Sequence, residues 1–197
     1  MGWKEGDLFF PCLSVACMKH KNFVNFLIGL VIFTGLFSVV KHLYLQPDYE
    51  SGQKAPDFIA ILPDGQSFKL SALKGRYVLL DFWGSWCGPC IREAPALIEL
   101  YRKYQDATFK EATGFTIVSV AIEKDKNRWL NAIQRMGKDW PYHIIDPATS
   151  LKIFNSPIAN QYDVKQLPTK FLINEKGLIE GVNMTPEQID QYLLQKK

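Results

Sequence analysis

The stretch DFWGSWCGPCIREAP, residues 81–95, sets two cysteines three positions apart where an apolar strand gives way to a helix. Cys87 and Cys90 at this spacing serve one of three ends: they ligate a metal, staple the fold, or exchange electrons. A structural zinc ion takes four protein ligands, and one CxxC supplies two. His143 is the only histidine beyond residue 42, and Cys12 and Cys17 lie before a long apolar segment, so the ligand set stays incomplete. A link across so short a span removes little chain entropy from the unfolded state, a weak reason for a staple. Electron exchange suits the placement better. At the amino end of a helix, free N–H groups and the helix dipole favour a thiolate on Cys87. Cys90, one turn on, is placed to displace whatever Cys87 captures.

Working outward from this stretch, YVLLDFW (77–83) is an apolar run broken only by Asp81, the pattern of a strand covered on both faces. Helical spacing follows from Pro89 to Tyr104 through Ile91, Leu97, Ile98 and Tyr101. GFTIVSVAI (114–122) reads as a second central strand and RWLNAIQRM (128–136) as a second helix. Ser150 to Tyr162 reads as a further helix broken near Pro157. KFLIN and LIEGVNM flank the turn Glu175-Lys176-Gly177, and a last helix from Pro186 to Gln195 carries proline in its first turn. Before all of these, ILPDGQSFKL holds a PDG turn between two short β-type runs, a hairpin signal. The order predicts an α/β layer with helices on both faces of a sheet.

The amino-terminal part has a different character. Asn22 to Val40 is free of charge for nineteen residues, which as a helix spans about 28 Å, close to the apolar thickness of a bilayer. Asn22, Asn25, Thr34 and Ser38 do not gather into a polar face, so residues 22–40 are expected to cross a membrane rather than to lie in a core. The following SVVKHLYLQ offers no small-x-small cleavage pattern, which favours a retained anchor. Lys4, Lys19 and Lys21 precede the span, whereas Lys41 after it is offset by Asp48 and Glu50. That bias keeps residues 1–21 in the cytoplasm and sends the rest outside it, a single pass through the inner membrane with a periplasmic domain. MKHKNF, from Met18, resembles a conventional basic lead into an apolar core and is an alternative start. Residues 41–52 are turn-rich and polar, the composition of a linker, with a folded domain over residues 53–197. With 47% hydrophobic and 22% charged residues and a net charge of +3, the chain is globular and has no basic face for nucleic acid.

Four stretches together carry a family resemblance: APDF (55–58), the run VLLDFWGSWCGPC, its core WCGPC (86–90), and YDVKQLPTKFLINEKG (162–177). Over about residues 53–197 the chain resembles the thioredoxin superfamily, specifically the membrane-anchored thiol-disulfide oxidoreductases related to TlpA and ResA. The resemblance implies a thioredoxin-like fold: a central mixed β-sheet flanked by helices, an N-terminal β-hairpin and a central insertion. The insertion accounts for the 78 positions from Cys90 to Pro168. It also implies roles. Cys87 would be the exposed nucleophile and Cys90 the shielded resolving thiol, with Gly88 and Pro89 shaping the helix start and Trp86 covering the disulfide. Pro168 would be a cis-proline that, with Leu167 and Thr169 beside it, pairs with an extended substrate segment. Asp81 would be a buried acid that moves the proton of Cys90, since burial shifts a carboxyl group towards a useful range. Glu123 would be an active-site glutamate, although KDKN after it fits a solvated loop equally well.

No cofactor and no metal are implied. The partners implied are a disulfide-containing protein substrate, a membrane electron donor, and the bilayer through residues 22–40. The expected activity is reduction of protein disulfides outside the cytoplasm, with apocytochrome c cysteines among the candidate substrates. Three alternatives stand beside it. One is an oxidase or isomerase, separated by redox potential. Another is a thiol peroxidase, for which Gly84, Ser85 and Trp86 stand where a proline and threonine are needed. The third is an anchored binding module using both sulfurs as soft ligands.

Overall fold

A computed structural model describes residues 14–147 and 156–197, with side chains from residue 22 onward. The chain divides into two units, Met1–Leu45 and Gln46–Lys197. In the first, helix α1 (Ser14–Leu45) contains one stretch, Asn22–Leu45, long and apolar enough to cross a membrane. It runs past the expected end at residue 40. Its large apolar side chains from Phe23 to Tyr44 are exposed on all sides, and the Thr34 hydroxyl donates to the Leu30 and Val31 carbonyls within the helix. Expectations about residues 1–13, Cys12 among them, lie outside the described residues.

The second unit is built on a five-stranded mixed sheet. Its strands are β3 (Tyr77–Trp83), β4 (Phe115–Glu123), β5 (Tyr142–Pro147), β6 (Thr169–Ile173) and β7 (Ile179–Val182), in the order β5-β4-β3-β6-β7. β3, β4 and β5 are parallel, while β6 runs antiparallel to both β3 and β7. Every residue of β3 and β4 is buried, because both faces are covered. Side chains alternate between the faces. Tyr77, Leu79, Phe115 and Ile117 pack with Leu97 and Leu100 of helix α2 (Gly88–Tyr104) and with Ile189 of α5 (Pro186–Lys196). Trp83 and Ala121, on that same face, meet Trp129 of α3 (Lys126–Met136). Val78, Leu80, Val118 and Val120 face the other way. They pack with Phe68 of a short hairpin, β1 (Ile59–Ile61) and β2 (Ser67–Lys69), and with Ile158 of α4 (Pro157–Gln161).

Three features differ from the sequence reading. Residues 41–52 are not a free linker. Residues 41–45 continue α1, and from Gln46 the chain belongs to the folded unit: Tyr49 donates to the Gln161 carbonyl and sets its ring against Tyr162 and Phe171, and Gly52 N–H donates to Ile179. The cause is aromatic: a tyrosine in a polar stretch finds a buried ring cluster. Strand β5 has no counterpart in the local pattern, since only Ile144 and Ile145 form an apolar pair there. Pro157 opens α4 rather than breaking a helix, because the first turn has no use for the missing N–H. The earlier part of that expected helix falls in residues 148–155, outside the described residues.

His143 illustrates the cost of burial on β5. It is buried, stacks on Trp140, and donates from Nε2 to the Lys138 carbonyl. Burial first, and the Lys138 charge second, push its pKa down to about 4. The unfolded chain therefore takes up a proton near pH 6.5 that the fold refuses until about pH 4. Stability falls as pH drops through that window, by about 2 kcal/mol at pH 5. His143→Gln is expected to remove this part of the acid limb, read as a smaller gap between the melting temperatures at pH 7 and pH 5.

Candidate active site

β3 ends at Trp83, and the turn Gly84–Trp86 delivers Cys87 as the N-cap of α2. Gly88 is the first helical residue and Pro89 follows it, where a missing N–H leaves no intrahelical bond unmade. The Cys90 N–H points at Cys87 Sγ at 3.3 Å, and the two sulfurs are joined at 2.06 Å. A backbone donor aimed at this sulfur is a local charge stabiliser for the thiolate that reduction would release. Cys87 and Cys90 are 5% and 4% exposed. The exposed position expected for Cys87 is therefore corrected for the oxidised state: both sulfurs are turned into a cluster with Trp83, Trp129, Ala121 and Leu167.

Trp86 is 43% exposed, and its indole N–H donates to the Ile122 carbonyl at 3.1 Å. The ring lies across Gly84, where a Cβ would come within 2.9 Å of it, so a side chain at this position would have to displace the indole. Glu123 is not a solvated loop acid. It is buried at the end of β4, accepts from the Ser85 hydroxyl and from Lys124 N–H, and pairs with Arg128 at 3.3 Å. Arg128 Nε also donates to Ser85, so the turn before Cys87 is tied to the end of β4 and the start of α3.

The peptide bond Leu167–Pro168 is cis. Thr169 opens β6 as the partner of Phe82, one residue short of Trp83, so Pro168 lies at the sheet end from which the cysteine turn departs. The buried Thr169 hydroxyl donates to the Gln166 carbonyl.

Below the disulfide cluster a polar row crosses the sheet. Paired residues on neighbouring strands place His143 beside Ser119, Ser119 beside Asp81, and Asp81 beside Lys170. Ser119 donates to Asp81, which also pairs with Lys138 at 3.4 Å. The buried acid expected at position 81 is buried and forms half of an ion pair, because Lys138 enters from the turn after α3. The Lys138 ammonium also sits 3.6 Å from the centre of the Trp83 ring. Burial lowers the Lys138 pKa, against the opposing pull of Asp81.

Residues 50–192 match the model of the redoxin family. The chain belongs to the redoxin family. The relatives it resembles include the thiol-disulfide oxidoreductase ResA of Bacillus subtilis strain 168, at 30% identity over 89% of this chain and 93% of the relative. ResA of Geobacillus thermodenitrificans is 34% identical over 72% of this chain and 75% of the relative. Among solved structures, a thiol-disulfide oxidoreductase from Bacteroides fragilis superposes with a TM-score of 0.62 at 28% identity, over 73% of this chain and 98% of that one. This redoxin has the thioredoxin-like fold and is a thiol-disulfide oxidoreductase.

Three charged residues of the redoxin site escaped the sequence reading: Lys138, Glu93 and Lys170. Glu93 follows Cys90 by three positions on α2, which puts both on one helix face, and Lys170 is a lone cation in the apolar run of β6. Those two placements were the available signals. Lys170 Nζ donates to Glu93 Oε1, and the Lys170 side chain is buried.

Proposed function

We propose that this redoxin reduces disulfides of protein substrates on the extracytoplasmic side of a membrane, anchored in a single pass by α1 with its amino terminus inside. The observation that carries the reading is the Cys90 N–H aimed at Cys87 Sγ, beside the cis Leu167–Pro168 bond. In the dithiol state, the Cys87 thiolate attacks one sulfur of the substrate disulfide, forming a mixed disulfide and releasing the other sulfur as a thiolate. The Cys90 thiolate then attacks Cys87 Sγ. The Cys87–Cys90 bond forms, the substrate leaves with both sulfurs reduced, and two electrons have passed to it. In this reading Leu167, Pro168 and Thr169 are the backbone with which an extended substrate segment pairs. On the same reading Asp81, paired with Lys138 on the face of β3 that also carries Trp83, takes the proton of Cys90, while Trp86, Gly88, Pro89 and Glu123 hold the turn. A membrane donor of two electrons restores the dithiol, and cysteines of apocytochrome c are among the substrates that fit.

Direction is tested by equilibrating the full chain in detergent with glutathione buffers. The expected potential lies below about −220 mV, on the thioredoxin side of the scale. A value near about −120 mV would make the protein an oxidant and overturn the reading.

A further inference from the structure

The ion pair between Glu93 and Lys170 joins the two halves of the site. Glu93 lies one turn past Cys90 on α2, and Lys170 lies two residues past Pro168 on β6. A lysine side chain buried in the second-central strand of a sheet is strongly unfavourable without a partner. Glu93 supplies that partner through one oxygen, and its other oxygen, Oε2, is buried with no hydrogen-bond partner. Residues three apart on a helix have Cβ atoms about 5–6 Å apart. An acceptor with spare capacity therefore stands next to Cys90.

We propose that Lys170 is a positioning residue for the thiol chemistry of Cys90. It acts through Glu93, holding that carboxylate against β6 and balancing its charge beside the sulfur. The other charged groups facing this pair come from three elements. Asp81 on β3 is the cross-strand neighbour of Lys170, Lys138 after α3 feels the charge of Glu93, and exposed Glu187 on α5 feels that of Lys170. Asp81 and Lys138 already neutralise one another. Lys170 is then the counter-charge in direct contact with Glu93. Without it, an uncompensated anion lies one turn from Cys90 and opposes formation of a thiolate there.

The inference rests on Cys87 and Cys90 being the reacting pair. Its readout is ionisation of Cys90 alone, so it fails separately from the direction of electron flow. The full chain in the Cys87→Ser background is alkylated with iodoacetamide across pH, and the Cys90 peptide is quantified by mass spectrometry. Lys170→Met is expected to raise the midpoint by about one pH unit. Lys170→Arg is expected to restore it, as is Lys170→Met combined with Glu93→Gln. A Lys170→Met profile that superimposes on the parent overturns the proposal, as does a shift that persists with Glu93→Gln. If Lys170→Met does not fold, Glu93→Gln alone carries the test: the lone ammonium must lower the midpoint, and an unmoved one is equally fatal.

Discussion

Full-length protein carrying Cys90→Ala is expected to accumulate as a mixed disulfide through Cys87, with turnover falling at least about a hundredfold. The substitution leaves the backbone N–H of residue 90 in place, so the donor that faces Cys87 Sγ is retained. Capture by Cys87 should therefore persist while release, which needs a second sulfur within bonding reach, is lost. Cys87→Ser is expected to lose turnover to a similar extent without trapping anything, because the sulfur that caps the helix and faces a backbone N–H is that of Cys87. The two variants are compared by non-reducing electrophoresis and mass spectrometry after mild reduction in the presence of a disulfide-bonded protein. Adducts that form through Cys90 in Cys87→Ser as readily as through Cys87 in Cys90→Ala would reverse the assignment. Absence of adducts in both would remove the mechanism.

The largest effect on stability is expected at the Asp81–Lys138 pair. Both side chains are almost wholly buried, and Lys138 rests on the Trp83 face. Among the described residues, Lys138→Met leaves Asp81 with the Ser119 hydroxyl as its side-chain partner, and breaking a buried pair on one side costs about 3–5 kcal/mol. For a unit of this size that is a fall in melting temperature of roughly 10 °C. Asp81→Leu should cost less at alkaline than at neutral pH. Burial already lowers the Lys138 pKa, so the stranded ammonium sheds its proton as the pH rises. The double variant Asp81→Leu/Lys138→Met is expected to return close to the parent, since two apolar groups of similar volume need no partners. Urea unfolding of the four proteins closes a double-mutant cycle. Additive losses in that cycle would mean that the pair does not act as a unit.

The parts of the fold that were readable along the chain are those whose environment repeats over many residues. YVLLDFW and FTIVSVAI are apolar without interruption because helices and hairpin cover both faces of β3 and β4. Helix α2 announces itself by the spacing of Leu97 and Tyr101. β5 does not: its His143 and Asp146 are buried polar residues whose partners, Lys138, Ala159 and Ser156, come from other segments. The same holds for residues 46–52, whose polar composition suggested a linker although Tyr49 docks on Tyr162 and Phe171.

The site divides along the same line. Two cysteines at a spacing of three, entering a helix behind an apolar strand, carry their chemistry in local order alone, since the N-cap geometry that favours a thiolate is built by consecutive residues. The charges beneath them do not. Lys138 meets Asp81 across 57 positions and Lys170 meets Glu93 across 77, so no local pattern can show which acid has a counter-ion. Contiguous sequence suffices for an interaction between neighbours in the chain. Whether a buried charge is compensated depends on which strands and helices pack side by side, and that is settled only when the sheet assembles.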